Sequence, residues 1–253
     1  MEDEWDRQKP PQLAGYESWL YQMPCTGAGD FFVSVPHPGH SGFSAESPTR
    51  WLVAIGDFSW TWREDSRLKD LMEAQTRRLA GTAIDPASIL EALNHDPLGT
   101  GDASSAQDSY ACLLVAIIDS DRHEMTVASA GHLSPLVRRV NRQTDLLGAE
   151  SAGLPLWIDP SQTYENVTMP IGSGEILVFY SDGVTELMDN QSNLFRPERL
   201  RQAISQARGD ASSVGQSILE ALRRFGQGQA QMDDISLLCV GRALPQVNHG
   251  RKD

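Results

Sequence analysis

The chain has 253 residues, of which 34 are acidic and 21 basic, for a net charge of −13. Its length and an apolar share of 40% suit one large globular domain or two small ones with a sizeable core. The negative field repels phosphate backbones and anionic membranes, which argues against nucleic-acid and membrane partners. The longest apolar run, 111–118, is far short of the about 20 residues that span a bilayer. The opening MEDEWDRQKPPQ is acidic and polar, unlike a secretory signal, so a cytoplasmic protein is expected.

A polar lead-in over 1–14 precedes strand signals at 16–23, 31–35 and 51–55. A helix is expected over 65–79, where Leu68, Leu71, Met72, Ala74 and Leu79 recur at three- and four-residue spacing. Another is expected over 86–93, with Asp85 as its cap and Pro86 in its first position. Strand patterns follow at 110–118, 124–129, 136–140, 163–169 and 176–180. Two helices, 197–207 and 212–225, then lead to a last strand at 235–240 and a tail over 243–253. Several strands are apolar on successive residues, which requires cover on both faces. Bunched strands with helices in two pairs indicate an α+β sandwich with helices outside, and the regular strand–helix alternation of a doubly wound sheet is missing. No linker divides 15–242, so this span reads as one domain. His37 and His40 lie in a Pro/Gly-rich stretch and read as solvated loop residues. Cys112 and Cys239 read as small buried hydrophobes and Cys25 as an inert loop thiol.

The chemistry lies in where the acids stand. Asp57 follows the apolar run WLVAIG, Asp182 follows EILVFYS, Asp233 and Asp234 precede ISLLCV, and Asp30 opens FFVSV. Four carboxylate positions therefore fall at strand ends, where neighbouring strands can bring them together. Clustered carboxylates repel unless cations neutralise them, and an all-oxygen set selects Mg²⁺, Mn²⁺ or Ca²⁺. Each Asp taken singly reads as a turn or cap residue.

The segments GAGDFF, AIGDFS, ASAGHLSPL, SAGLPL, VFYSDGVTEL and MDDISLLCV stand in the order and spacing of one family. The chain resembles the metal-dependent type 2C (PPM) serine/threonine protein phosphatases, and within them the bacterial SpoIIE-like branch. The resemblance spans about residues 15–242. It implies an αββα sandwich of two antiparallel sheets flanked by helices, with two Mn²⁺ or Mg²⁺ ions at one edge. By motif, Asp57 would bridge both ions, Asp182 and Asp233 would hold one, and Asp30 with the Phe58 backbone carbonyl would hold the other. Asp234 is the alternative to Asp233. Two such ions acidify a bridging water, so hydroxide can attack phosphorus with no enzyme nucleophile. The implied substrate is a phosphoserine or phosphothreonine on an anti-sigma-factor antagonist of STAS type, in a partner-switching pathway. His132, in the AGH segment, reads as structural. One departure stands out: Trp60 and Trp62 follow the proposed bridging ligand where relatives carry small residues, which points to a specialised rim and to a regulator docking there. The competing reading is a phosphatase-like binding module with weak or no catalysis. A two-metal nuclease is opposed by the net charge and by the lack of a basic stripe.

Overall fold

The computed structural model describes residues 9–25, 29–38, 48–60, 66–82, 85–96, 109–227, 229 and 231–244, with backbone alone at 59–60 and 66–68. Strands β1 (Tyr16–Met23), β2 (Phe31–Pro36) and β3 (Arg50–Trp60) come first, then helices α1 (Ser66–Ala80) and α2 (Pro86–His95). Strands β4 (Ser109–Asp119), β5 (Glu124–Ala130), β6 (Leu136–Arg138), β7 (Thr144–Leu146), β8 (Val167–Pro170) and β9 (Ile176–Tyr180) follow. The short α3 (Asp182–Thr185), α4 (Arg196–Gln206), α5 (Ala211–Phe225) and β10 (Ile235–Arg242) complete the order. One sheet runs β1-β10-β9-β6-β7 and the other β2-β3-β4-β5-β8, and every strand pairing within them is antiparallel.

The period of two along each strand divides its side chains between two cores. On β3, Val53 and Ile55 meet Leu177, Phe179 and Leu238 in the layer between the sheets. Leu52 and Ala54 turn the other way and pack with Met72, Ile89, Leu90 and Leu93 of α1 and α2. On β9, Ile176, Val178 and Tyr180 face Leu200, Ile204, Ile218 and Leu222 of α4 and α5. The result is the expected αββα sandwich, and it explains strands that are apolar on successive residues.

Local chemistry sets the helix boundaries. The Asp85 carboxylate accepts from the Ser88 amide at 2.9 Å and Asp210 accepts from the Ser213 amide at 2.8 Å, capping α2 and α5. Gly215 lets α5 settle on β1, because a Cβ there would lie 2.0 Å from the Trp19 ring.

Several expectations need correction, among them the strand expected over 163–169, which starts only at Val167 as β8. Asp57 is not past a strand end: β3 runs on to Trp60, pairing Asp57 with Cys112. The partner on its other side stops at Gly56, where β2 begins, so the sheet narrows at Asp57 although the strand does not. The strand expected over 136–140 ends at Arg138, because the Asn141 carboxamide accepts from the Gln143 amide and Arg142 adopts φ 67°, turning the chain into β7. His37 is buried, 2% exposed, rather than solvated, and its amide donates to the Arg50 carbonyl at 3.0 Å. His40 and Trp62 lie outside the described residues, as does the side chain of Trp60.

Candidate metal centre

Two pairs of sequence segments are mated at one edge of the sandwich. In the first, Ser181 ends β9 and ties it to β10. Its amide donates to the Ser236 carbonyl at 3.0 Å, its hydroxyl to the Asp234 carbonyl at 3.3 Å, and it accepts from the Ser236 amide at 3.0 Å. Gly183 then passes so close to β10 that a Cβ would lie 2.0 Å from the Asp234 carbonyl oxygen. SDG and DDIS are thus two halves of one junction, which brings Asp182 beside Asp233. In the second pair, a Cβ on Gly29 would lie 2.6 Å from the Phe58 carbonyl oxygen and 2.9 Å from the Asp57 carboxylate. The Phe58 amide donates to the Gly29 carbonyl at 3.3 Å, which brings Asp30 beside Asp57. Phe58 itself is anchored between the rings of Phe31 and Trp157, at 5.3 and 5.9 Å.

Asp234 joins the two junctions. Its carboxylate accepts from the backbone amides of Cys25 and Asp30, the latter at 3.1 Å, and Lys69 of α1 adds a positive charge to its surroundings. The adjacent acids are therefore different in kind. Asp234 is 2% exposed and engaged by backbone, whereas the half-buried Asp233 accepts, among the described residues, from the Asp234 amide and faces Asp182.

The electrostatics of the cluster are strained. Asp30 is fully buried and neither of its carboxylate oxygens meets a donor at full bonding geometry, although the Ser181 and Ser236 hydroxyls lie beside it. Burial, aided by Asp234 and Asp57, pushes it up to about 8. Burial, with Asp182 and Asp233, pushes Asp57 up to about 7. Asp233 is raised by burial and by Asp182, and Glu186, one turn beyond Asp182, by burial and by both of those acids. One oxygen of Asp182 is also buried without a partner. Cys112, across the ladder from Asp57, is pushed to about 11 by burial and by Asp57 and Asp182. Each shift has the same meaning: the site disfavours more negative charge and favours positive charge.

Orphaned buried oxygens and an all-oxygen donor set fit a hard divalent cation. Among the described residues, however, no three His, Cys, Asp or Glu side chains are arranged to hold a metal ion. Asp57, Asp182, Asp233 and Asp30 share one electrostatic field without converging on one point.

His132 does not join them. It is 7% exposed, its Nδ1 lies 3.0 Å from the Leu133 carbonyl, and burial pushes it down to about 4, so it stays neutral. Its segment packs on GLPL, with Gly131 at φ 73° against Pro155 and the Gly153 amide donating to the Ser129 carbonyl at 2.9 Å. Sequence reasoning did not single out Ser181, Ser236, Lys69 or Glu186. The four-residue step from Asp182 to Glu186 was the one available signal, while nothing in the sequence marks a lysine on an amphipathic helix.

Comparison with known proteins bears on the fold and the family. The chain is 27% identical over 166 residues to the phosphoserine phosphatase RsbU of Bacillus subtilis, covering 66% of this chain and 48% of RsbU. It therefore spans about half the length of that relative. The SiaA PP2C domain of Pseudomonas aeruginosa superposes with a TM-score of 0.70 at 17% identity, over 88% of this chain and 84% of that one. RsbX in complex with magnesium superposes at 0.63 and 14% identity, over 92% and 98%. These likenesses show the fold. The family model described as Stage II sporulation protein E (SpoIIE) matches residues 70–243, which include Asp182 and Asp233, and the chain belongs to that family.

Proposed function

We propose that this chain is a metal-dependent phosphatase that removes phosphate from phosphoserine or phosphothreonine on a regulatory protein, an anti-sigma-factor antagonist of STAS type, in the cytoplasm. The observation that carries the reading is that Asp182 and Asp233 act on Asp57 in one electrostatic field, with Asp30 in the same field and its buried oxygens without full hydrogen bonds among the described residues. The name of RsbU supports the activity, and the magnesium complex of RsbX supports a divalent cation. Among the described residues no helix is long and apolar enough to cross a membrane.

In this reading Asp57 would serve two cations, Mn²⁺ or Mg²⁺, with Asp182 and Asp233 on one and Asp30 and the Phe58 carbonyl on the other. When bound, such ions supply positive charge to phosphoryl oxygens and acidify water. The protein holds the carboxylates in place and desolvates them. Asp234 is a positioning residue, fixing the 25–30 segment through two backbone amides. Neither group beside the motifs suits nucleophilic catalysis, since Cys112, half-buried rather than buried as expected, is held as a thiol and His132 is enclosed and neutral. Direct attack by water needs no such group. Residues 15–242 form the proposed phosphatase unit, and a regulator is proposed to dock near Trp60 and Trp62.

The test is hydrolysis of p-nitrophenyl phosphate and of a phosphoserine peptide with Mn²⁺ or Mg²⁺, beside EDTA and the Asp57→Ala and Asp182→Ala variants. Metal-dependent turnover lost in both variants supports the reading. A folded protein inert toward both substrates favours the second reading, a binding module, whose motivating observation is that no three side chains are arranged to hold a metal among the described residues.

A further inference from the structure

Next to the acidic cluster the surface opens into a cavity of about 250 Å³ that shares Gly183 and Asp233 with it. Both walls are held by backbone. In one, Met188 forms an isolated bridge with Leu194, the Asp189 amide donates to the Asn193 carbonyl at 3.0 Å, and the Phe195 amide donates to the Leu187 carbonyl at 2.8 Å. The Asp189 carboxylate closes that turn by accepting from the Gln191 and Asn193 amides at 2.8 and 2.9 Å. In the other, the Gln231 side-chain amide donates to the carbonyls of Met23 and Asp233 at 2.7 and 2.6 Å.

The lining mixes acids, glutamines and Ser192 with three apolar side chains, Leu187, Met188 and Met232, and two of those three are exposed and adaptable. Met188 is 40% exposed and Met232 is 79% exposed, and both line the cavity. Flexible, polarizable thioethers on a rigid frame accommodate apolar side chains of varied shape. The charged groups of the lining are all acids, Glu186, Asp189 and Asp233, so a negatively charged visitor is repelled. The volume falls below the about 300–1,000 Å³ of a whole small-molecule site, which leaves room for one large side chain. The cavity shares Gly183 and Asp233 with the acidic cluster, so a chain that carries a phosphoserine there and runs past those residues reaches it at once.

We propose that the cavity is a specificity subsite that takes one large apolar side chain flanking the phosphoserine of a protein substrate, in preference to an acidic one. The proposal rests on the phosphatase reading given above. Met188 and Met232 form the contact surface, and the acids of the lining supply the exclusion.

The experiment compares matched phosphoserine peptides that carry leucine or glutamate at each of the two positions on either side of the phosphoserine, with p-nitrophenyl phosphate as a substrate that has no flank. At one position the leucine peptide is expected to win by about tenfold or more in kcat/KM, mostly through KM. Met188→Ser and Met232→Ser each reduce that preference, and the double variant abolishes it, while Met188→Leu and Met232→Leu keep it. Turnover of the aryl phosphate stays the same in all of them. Equal rates for leucine and glutamate peptides at every position, or a preference that survives the double serine variant, overturn the subsite alone. No turnover of any substrate overturns the phosphatase reading and the subsite with it.

Discussion

Asp30 and His132 are both buried polar groups in short glycine-bearing motifs, and the fold treats them in opposite ways. His132 has a carbonyl at hydrogen-bond distance, sits in a segment stitched to its neighbour by the Gly153 amide, and carries no charge. Asp30 is more deeply buried, meets no donor at full geometry, and has two other carboxylates acting on it. By sequence, Asp30 already reads as a ligand and His132 as structural. The difference in satisfaction separates them: the AGH and GLPL segments complete each other within the chain, whereas both Asp30 oxygens stay without a full hydrogen bond among the described residues.

The largest expected effect follows from that contrast. Asp57→Ala and Asp182→Ala should each lower metal-dependent phosphatase turnover by about 10³-fold, the loss of several kcal/mol of charge stabilisation. The urea midpoint of the metal-free protein should not fall, because Asp57→Ala removes a carboxylate that burial disfavours and Asp182→Ala removes a like charge acting on Asp57 and Asp233. A midpoint that falls in step with activity would show these acids to be structural. Gly183→Ala should separate the two properties differently. Its Cβ would meet the Asp234 carbonyl oxygen at 2.0 Å, so β9 and β10 must part, at a cost of about 3 kcal/mol. Denaturation should show that loss with or without metal, and activity should fall with it.

How much of this was legible in the sequence depends on which interaction carried the information. The four layers were legible, because strands such as ILVFY are apolar on both faces and α5 keeps Val214, Ile218 and Leu222 on one stripe. The three-residue β6 and β7 are too short to show a period, and their boundaries come from the Asn141 turn. At the site, the resemblance named Asp30, Asp57, Asp182 and Asp233, and the structure brings them into one field. Which of Asp233 and Asp234 faces the cluster was not legible. Adjacent residues on an extended chain point to opposite sides, and only the Cys25 and Asp30 amides show which side is occupied. Asp57 was expected past its strand because the apolar strand signal covers 51–55. Gly56 is required by the Phe31 ring, which a Cβ would meet at 2.4 Å, and the strand continues.

His132 gives the satisfied half of the comparison a pH signature. Its folded value of about 4 lies below the ordinary 6.5, so protonation favours the unfolded chain. Its contribution is present in full above about pH 6.5 and is lost as pH falls toward 4. At pH 4.5 the loss should be about 2–3 kcal/mol relative to pH 7. His132→Gln should flatten the fall by that amount, read as the difference in the slope of stability against pH between the two proteins. Equal slopes would mean that His132 titrates freely in the folded state, and its enclosure would be wrong.

Asp30→Asn tests the unsatisfied half, with a smaller and less usual effect. At pH 7 the folded chain holds Asp30 below its raised value of about 8, so folding must protonate a carboxyl that the unfolded chain keeps ionised. Asparagine has nearly the same shape and escapes that requirement, and it stops acting as a like charge on Asp57 and Asp234. The metal-free variant should therefore be more stable than the parent by about 2 kcal/mol or more, since the raised value of about 8 already includes the softening by the Ser181 and Ser236 hydroxyls. Saturating Mn²⁺ should raise the Tm of the parent, since a ligand that binds the folded state alone stabilises it. The same Mn²⁺ should raise the Tm of the variant far less, and phosphatase turnover should fall with that response. A gain in stability joined to a loss of metal response cannot come from a residue whose role is to hold the fold together. A variant less stable than the parent would place Asp30 with His132, among the groups the chain satisfies by itself.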